Sequence, residues 1–166
     1  MKYNEKNMKT YNMLFLCTHN SARSVLGEAV ASICSNGRLI GYSAGSHPSS
    51  VVNPFAVKVA SEIGYDTSKL HSKSWDDYAK ADAVKMDFVI TVCDNAANEV
   101  CPYFPASPTT AHWGFADPSS VVGTDEDKLN AFRKVADGLK LKISKLLALD
   151  LDNLTIAELR NEIKKL

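Results

Sequence analysis

Cys17 and Arg23, six positions apart, are the residues of this chain best spaced for chemistry on an anion. In a loop that joins a strand to a helix, several backbone N–H groups point at one place, and the helix dipole adds positive potential there. This field stabilises a cysteine thiolate, and Arg23 can add two parallel hydrogen bonds to an oxyanion. The hydroxyl of Ser24 stands where it could donate to the thiolate. The segment therefore predicts a nucleophilic cysteine in an oxyanion-binding loop, in preference to a cysteine that merely fills a strand end.

The flanking residues predict the strand and the helix that such a loop requires. Residues 13–16 form a short apolar run that is typical of a buried strand. After the loop, apolar residues recur with helical spacing, and Gly37 can end that helix. Within the loop, Asn20 is expected to organise the backbone, because its side chain bonds to backbone groups and tolerates left-handed conformations.

The rest of the chain alternates predicted strands with predicted helices. We expect strands near residues 39–44, 87–92 and 110–113, and helices that begin near residues 54, 74, 124 and 155. This alternation implies an α/β fold, a single-domain three-layer sandwich with a central four-stranded parallel sheet. Ligands of such sheets bind beyond the carboxyl ends of the strands. Cys17 and Cys93 each directly follow a predicted strand, so we expect both at the same edge of the sheet.

Length and composition restrict the function further. The 166 residues suit one compact unit, which we divide into a domain at 12–150 and a C-terminal helical extension at 151–166. With 19 basic and 19 acidic residues the net charge is zero, which argues against a nucleic-acid partner. The chain has no apolar run of membrane-spanning length and no signal-type run near its start. We therefore expect a cytoplasmic monomer, with no membrane partner and with its cysteines as thiols.

Two of the other cysteines, Cys93 and Cys101, are separated by seven residues. Neither belongs to a CxxC pair and no histidine stands at ligand spacing, so zinc is a poor explanation. A structural disulfide is disfavoured in a reducing compartment. Two explanations stay open: ordinary thiols near a strand end, or a redox relay in which two thiols supply two electrons by forming a disulfide. Cys34, on the apolar face of the first helix, is interpreted as a core residue.

These motifs resemble the low-molecular-weight protein tyrosine phosphatases and, within that fold, the arsenate reductases. The resemblance runs from about Met13 to Asp150. The loop sequence from Thr18 to Ser24 is similar to that of the arsenate reductases rather than to that of the phosphatases. Further similar segments are Ser43-Ala44-Gly45-Ser46, His71-Ser72-Lys73-Ser74, Val92-Cys93-Asp94-Asn95 and Asp117-Pro118. The resemblance implies that arsenate or phosphate is bound by the loop residues Thr18, His19, Asn20, Ser21, Ala22 and Arg23. It also implies that Asp117 is the general acid that protonates the departing oxygen.

The resemblance also implies a reaction sequence. Cys17 attacks arsenate, Cys93 then attacks the sulfur of Cys17 as arsenite leaves, and Cys101 moves the disulfide outward to Cys93–Cys101. The intervening residues 94–100 are polar and are interpreted as flexible enough to rearrange. An external thiol reductant, either thioredoxin or glutaredoxin with a low-molecular-weight thiol, would restore the thiols. Thioredoxin-coupled relatives space this cysteine pair one residue closer, so the resemblance does not choose the reductant.

No tightly bound cofactor is expected, apart from an ion that some relatives hold. Asn20, Glu28 and Ser43 match positions that help to hold potassium beneath the loop in those relatives. The alternative is that Glu28 is a solvated helix residue and Ser43 an ordinary strand-end serine.

The residues after Pro118 bear on the choice of substrate. Tyrosine phosphatases typically have aromatic residues there, whereas this chain has Ser119 and Ser120, so a large aryl phosphate should bind poorly. We therefore predict an arsenate reductase. A phosphatase that hydrolyses phosphate monoesters is the alternative, and an oxyanion sensor without turnover is a third possibility.

Overall fold

A computed structural model of the protein describes residues 9–99 and 102–166. Within these residues, four strands form one parallel sheet in the order β2-β1-β3-β4. The strands are β1 (Tyr11–Cys17), β2 (Leu39–Gly45), β3 (Phe88–Thr91) and β4 (Thr109–His112). Cys17 pairs in register with Gly45, and Leu16 pairs with Thr91. The carboxyl ends of the three neighbouring strands therefore meet at one edge, as predicted.

The helices of the described residues are α1 (Arg23–Ile33), α2 (Pro54–Glu62), α3 (Asp94–Asn98), α4 (Asp125–Leu147) and α5 (Ile156–Ile163). The predicted starts of α2, α4 and α5 are confirmed, and each of the three helices has a local cap. The Asn53 side chain accepts from a backbone N–H of α2, which has proline in its first turn. Thr124 and Thr155 each form a capping box, with Asp127 and Glu158 respectively.

Two segments differ from the sequence-based expectation. Residues Trp75–Tyr78 form a 3₁₀ turn capped by Ser74, and not a longer helix. Residues 94–98, interpreted as a flexible polar segment, form the short helix α3. Ala96 is completely buried in the core and holds α3 against the sheet. Two adjacent alanines are the apolar residues of this five-residue sequence, which is too few to give a helical periodicity.

The two faces of the sheet are covered by separate apolar clusters. On one face, Met13 and Phe15 of β1 pack with residues of α1, α2 and α4. On the other face, Leu14 and Leu16 pack with Trp75 and Met86 in a smaller cluster. This alternation along β1 is that of a strand buried on both sides. The predicted fold class, an α/β domain with a central four-stranded parallel sheet, is confirmed.

The final helix packs on the domain. Ile163 of α5 is fully buried in the larger cluster, while α5 as a whole contacts β4 at the edge of the sheet. Among the residues that the structure describes, none of the helices is both long and apolar enough to cross a bilayer.

Candidate active site

The loop between β1 and α1 depends on a close approach by β2. A β-carbon on Gly45 would lie 2.5 Å from the carbonyl oxygen of Thr18 and 2.9 Å from the amide nitrogen of Asn20. Both distances are shorter than real contacts of this kind, so only glycine lets the loop pass over the end of β2. His47 and Ser49 then donate backbone hydrogen bonds to the carbonyl groups of Thr18 and His19. The loop is therefore fixed in place by the neighbouring strand and the segment that follows it.

A buried hydrogen-bond chain lies beside the candidate nucleophile. The Oγ atom of Ser24 is 2.8 Å from the Sγ atom of Cys17, and it accepts a hydrogen bond of 2.9 Å from Asn20 Nδ2. Because Ser24 accepts from Asn20, its own hydrogen is available for the sulfur, which stabilises a thiolate. Asn20 has the left-handed conformation expected of it, with φ 48°, and its Oδ1 accepts from the backbone of Lys73. Asn20 thus connects the loop to the segment between α2 and the 3₁₀ turn at Trp75–Tyr78.

Arg23 and Asp117 face each other across the mouth of the loop. Nη1 of Arg23 donates to the carbonyl group of Phe115 at 2.9 Å, and Nη2 lies 3.9 Å from Oδ2 of Asp117. The guanidinium is therefore held in place before any anion arrives, at the first residue of α1. This placement suits bidentate recognition of an oxyanion.

The protonation of Asp117 reflects opposing influences. Burial raises the pKa of its carboxyl group, but hydrogen bonds from the hydroxyl and the backbone N–H of Ser119 lower it, as do the positive charges of Arg23 and His19. The hydrogen bonds and positive charges together outweigh burial, so the pKa of Asp117 lies below its usual value. In the protein without substrate, its carboxylate form is therefore favoured near neutral pH.

The cavity above Cys17 is small and polar. Its volume is about 160 Å³, and it is lined by loop residues between Cys17 and Arg23 together with Asn95, Asp117 and Ser119. Phe, Tyr and Trp are absent from this lining, which lies within the described residues. The cavity suits a compact tetrahedral oxyanion better than an anion attached to an aromatic group.

Cys93 lies against the same loop. Its Sγ atom is 3.8 Å from Oγ1 of Thr18, the residue that follows Cys17. Both cysteines are thiols, with Cys17 4% and Cys93 3% exposed. The structure therefore brings a second thiol to the oxyanion loop. Cys101, the predicted third thiol of the relay, lies outside the described residues. Cys34 is only half-buried and packs at the margin of the core.

The residues predicted to hold potassium lie beside a positively charged side chain, that of Lys73. Glu28 is 4% exposed; its carboxylate accepts hydrogen bonds of 2.6 Å from Ser43 and from Tyr65. The Nζ atom of Lys73 lies 3.7 Å from Oε1 of the same carboxylate and donates to the carbonyl group of His71. Burial lowers the pKa of Lys73, and Glu28 opposes this shift. These residues do not fit a potassium ion, because an ammonium group and two hydroxyl groups satisfy the carboxylate.

Comparisons with known proteins agree with this geometry. The family model for low molecular weight phosphotyrosine protein phosphatase matches residues 12–165. The chain belongs to this family.

Several of the similar family members are named arsenate reductases. The arsenate reductase of Halalkalibacterium halodurans is 41% identical over 129 residues, which cover 78% of this chain and 89% of the relative. A solved arsenate reductase in the intermediate state is 27% identical, with a TM-score of 0.64, over 84% of this chain and 98% of that one. The thioredoxin-dependent arsenate reductase of Corynebacterium glutamicum is 25% identical with a TM-score of 0.58, and the match covers 84% of this chain and 61% of that chain.

Two polar contacts of this family member were not expected from its sequence. His112 bridges Thr91 and Asp94, with its Nδ1 atom 2.8 Å from Thr91 Oγ1 and its Nε2 atom 3.0 Å from Asp94 Oδ1. At the other end of α3, Thr18 Oγ1 donates to Glu99 Oε1 at 3.3 Å. The residue types give no local signal for either contact. Both depend on the pairing of β3 with β1 and β4, which places distant residues side by side.

Proposed function

We propose that this protein is an arsenate reductase that converts arsenate to arsenite through a nucleophilic cysteine and a thiol–disulfide relay. The observation that carries the proposal is the contact of 3.8 Å between the Cys93 thiol and Thr18 of the oxyanion loop. Hydrolysis of an ester needs one protein nucleophile and water, whereas reduction needs a second thiol whose sulfur can form a disulfide bond with the first. Relatives that are 34–41% identical over most of the chain and are named arsenate reductases support the same activity.

In the first step, the loop residues Thr18 to Arg23 bind arsenate and the Cys17 thiolate attacks arsenic. Ser24 stabilises the thiolate at 2.8 Å, and Arg23 holds the oxyanion. Asp117 gives a proton to the departing oxygen, which leaves as water. The product of this step is a covalent adduct in which Cys17 sulfur is bonded to pentavalent arsenic.

In the second step, the sulfur of Cys93 attacks the sulfur of Cys17. The electron pair of the sulfur–arsenic bond stays on arsenic, which leaves as trivalent arsenite, and a Cys17–Cys93 disulfide remains. The two thiols have then supplied the two electrons of the reduction.

Recovery of the thiols completes the proposed cycle. Cys101 attacks Cys93 and moves the disulfide to Cys93–Cys101, from which an external thiol reductant removes it. A reductant of the thioredoxin type is supported by the similarity to a thioredoxin-dependent enzyme. Glutaredoxin with a low-molecular-weight thiol is the competing proposal, because seven residues separate the two cysteines here. Potassium has no part in the proposed cycle, since Lys73 supplies the positive charge beside Glu28.

A phosphatase that hydrolyses phosphate monoesters is favoured by one observation, the shared oxyanion loop, because its first step is the same nucleophilic attack. The cavity of about 160 Å³ and the serines after Pro118 favour an inorganic anion over an aryl phosphate. Turnover of a small aryl phosphate, compared with turnover of arsenate by the same preparation, distinguishes the two functions. Arsenate reduction should be the faster reaction.

Replacement of Cys93 tests the relay. We expect Cys93→Ser to form the Cys17–arsenic adduct but to release less than one equivalent of arsenite per protein, because serine cannot resolve it. Cys34→Ser is the matched control and should keep the full rate. The measurement is arsenite released over time with a thioredoxin system. Repeated turnover by Cys93→Ser would contradict the relay.

A further inference from the structure

We infer that Glu99 is the base that deprotonates Cys93 for its attack on Cys17, and that the hydroxyl of Thr18 carries the proton between them. This inference rests on the proposed function, because only a reductase needs Cys93 as a nucleophile. The atoms form a continuous path: Cys93 Sγ lies 3.8 Å from Thr18 Oγ1, which donates to Glu99 Oε1 at 3.3 Å.

The direction of the path follows from its donors and acceptors. An ionised carboxylate can only accept, so Thr18 must donate its one hydrogen to Glu99. The oxygen of Thr18 then has only lone pairs for Cys93, so the sulfhydryl must be the donor in that contact. When the thiol proton moves to Thr18 and the proton of Thr18 moves to Glu99, the Thr18 hydroxyl is left pointing at the new thiolate. The same contact that removes the proton therefore stabilises its product.

A dedicated base is needed at this position. The thiolate, and not the thiol, is the nucleophile in disulfide exchange, and Cys93 is only 3% exposed, so little water can reach it to accept its proton. The neighbouring carboxylate of Asp94 is largely exposed and faces His112 instead. The second oxygen of Glu99 lies 3.8 Å from Nδ1 of the exposed His47, the other titratable group that the structure places against it.

The proton and electron balance of the step is complete. Cys93 gives its proton to Glu99 through Thr18, and its sulfur forms a bond to Cys17 sulfur. The bond between Cys17 sulfur and arsenic breaks, with both electrons remaining on arsenic. Arsenite leaves as an anion and takes up a proton from solvent, and Glu99 returns its own proton to solvent.

The test uses Glu99→Gln, which keeps an oxygen that can accept from Thr18 but removes its basicity. Asp82→Asn is the control, because it removes one negative charge at an exposed position away from the path. The measurement is the rate of arsenite release in a single turnover at saturating arsenate. It runs from about pH 6 to about pH 9.5, a range that includes the usual thiol pKa of roughly 8.5.

At neutral pH, we expect Glu99→Gln to slow arsenite release on the order of 100-fold, a typical contribution of general base catalysis. The defect should shrink as the pH rises, since hydroxide then increasingly replaces Glu99 as the base, and Asp82→Asn should stay close to the unchanged protein throughout. A Glu99→Gln rate equal to that of the unchanged protein, or a deficit of the same size at every pH, would overturn the inference. If the unchanged protein releases no arsenite, the proposed function itself has failed.

Discussion

At the scale of single residues, Asp117 combines two requirements that oppose each other. A general acid must hold a proton, yet Ser119, Arg23 and His19 together keep the pKa of Asp117 below its usual value despite burial. A negatively charged substrate beside Arg23 offsets that positive field and favours the protonated acid. The same lowered pKa means that Asp117 stabilises the fold above its unfolded pKa, a contribution that is lost as the pH falls through its folded pKa.

Asp117→Asn tests the role of this carboxyl group as an acid. We expect kcat/KM to fall by about 10²- to 10⁴-fold, the usual contribution of general acid catalysis. In the unchanged protein, kcat/KM should decrease as the pH rises above the lowered pKa of Asp117, because the protonated fraction shrinks; the asparagine variant should lose this dependence. The measurement is a pH profile of adduct formation, with Asp82→Asn, an exposed carboxyl group elsewhere, as the control. A variant with an unchanged pH profile would exclude Asp117 as the acid.

The position of a single residue could be predicted from the sequence where its contacts are local. Cys17, Asn20, Arg23 and Ser24 lie within eight consecutive positions, so the loop geometry follows from the strand and the helix on either side. Lys73 is different, because its contact with Glu28 joins residues 45 positions apart. No local pattern reports such a pair, and this is why the sequence predicted potassium where the structure has an ammonium group.

At the scale of elements, glycine sets how closely α1 lies on the sheet. A β-carbon on Gly41 of β2 would lie only 2.2 Å from the carbonyl oxygen of Glu28 in α1. A β-carbon on Gly27 of α1 would lie 2.4 Å from the ring of Phe15 in β1. The two glycines therefore let the helix that carries Arg23 and Glu28 rest directly on β1 and β2. The position of the candidate site depends on this contact.

Gly41→Ala should separate α1 from β2. We expect a loss of about 1–3 kcal/mol in the free energy of unfolding, as for other overpacked interiors. Arsenate affinity should weaken as well, because α1 carries Arg23. Urea denaturation and a binding titration measure the two effects. Gly37→Asn is the control, since a β-carbon at Gly37 meets no atom within 4 Å and asparagine tolerates its φ of 77°. Equal losses in both variants would contradict the steric argument.

Elements were predictable where a cap or a periodic run marks them. Thr124 marks the start of α4, and the apolar residues of this helix recur with helical spacing over many turns. The helix α3 has neither signal, because the side chain of Cys93 does not cap it and the helix is only five residues long. Its structure comes from tertiary contacts, among them the buried methyl group of Ala96 and the hydrogen bond that Asp94 accepts from His112.

At the scale of the whole molecule, the question is whether the last helix is an appendage or part of one cooperative unit. The sequence predicts a boundary at residue 150, and we propose that residues 151–166 form a separate C-terminal helical extension. The packing gives a way to test it, because Ile163 is fully buried whereas Ile156 of the same helix is 63% exposed.

Ile163→Ala should cost about 2–5 kcal/mol of unfolding free energy, the usual range for emptying a buried aliphatic site. Ile156→Ala makes the same chemical change on the same helix but should alter stability by no more than about 0.5 kcal/mol. Chemical denaturation followed by fluorescence and circular dichroism measures both. A single coincident transition in the Ile163 variant supports one unit. Unfolding of α5 alone at lower denaturant, with the unfolding transition of the rest of the protein unchanged, supports a separate extension.

The ammonium group beneath the loop also affects how the protein responds to the medium around it. A bound metal ion exchanges with its surroundings, so its occupancy follows the salt composition. The ammonium group of Lys73 is covalently attached to the chain, 3.7 Å from the carboxylate of Glu28, and therefore cannot be lost by dissociation of an ion. Replacement of potassium by sodium or lithium in the buffer should leave this position unaltered, and every folded copy should carry the same electrostatic support for its reactive loop.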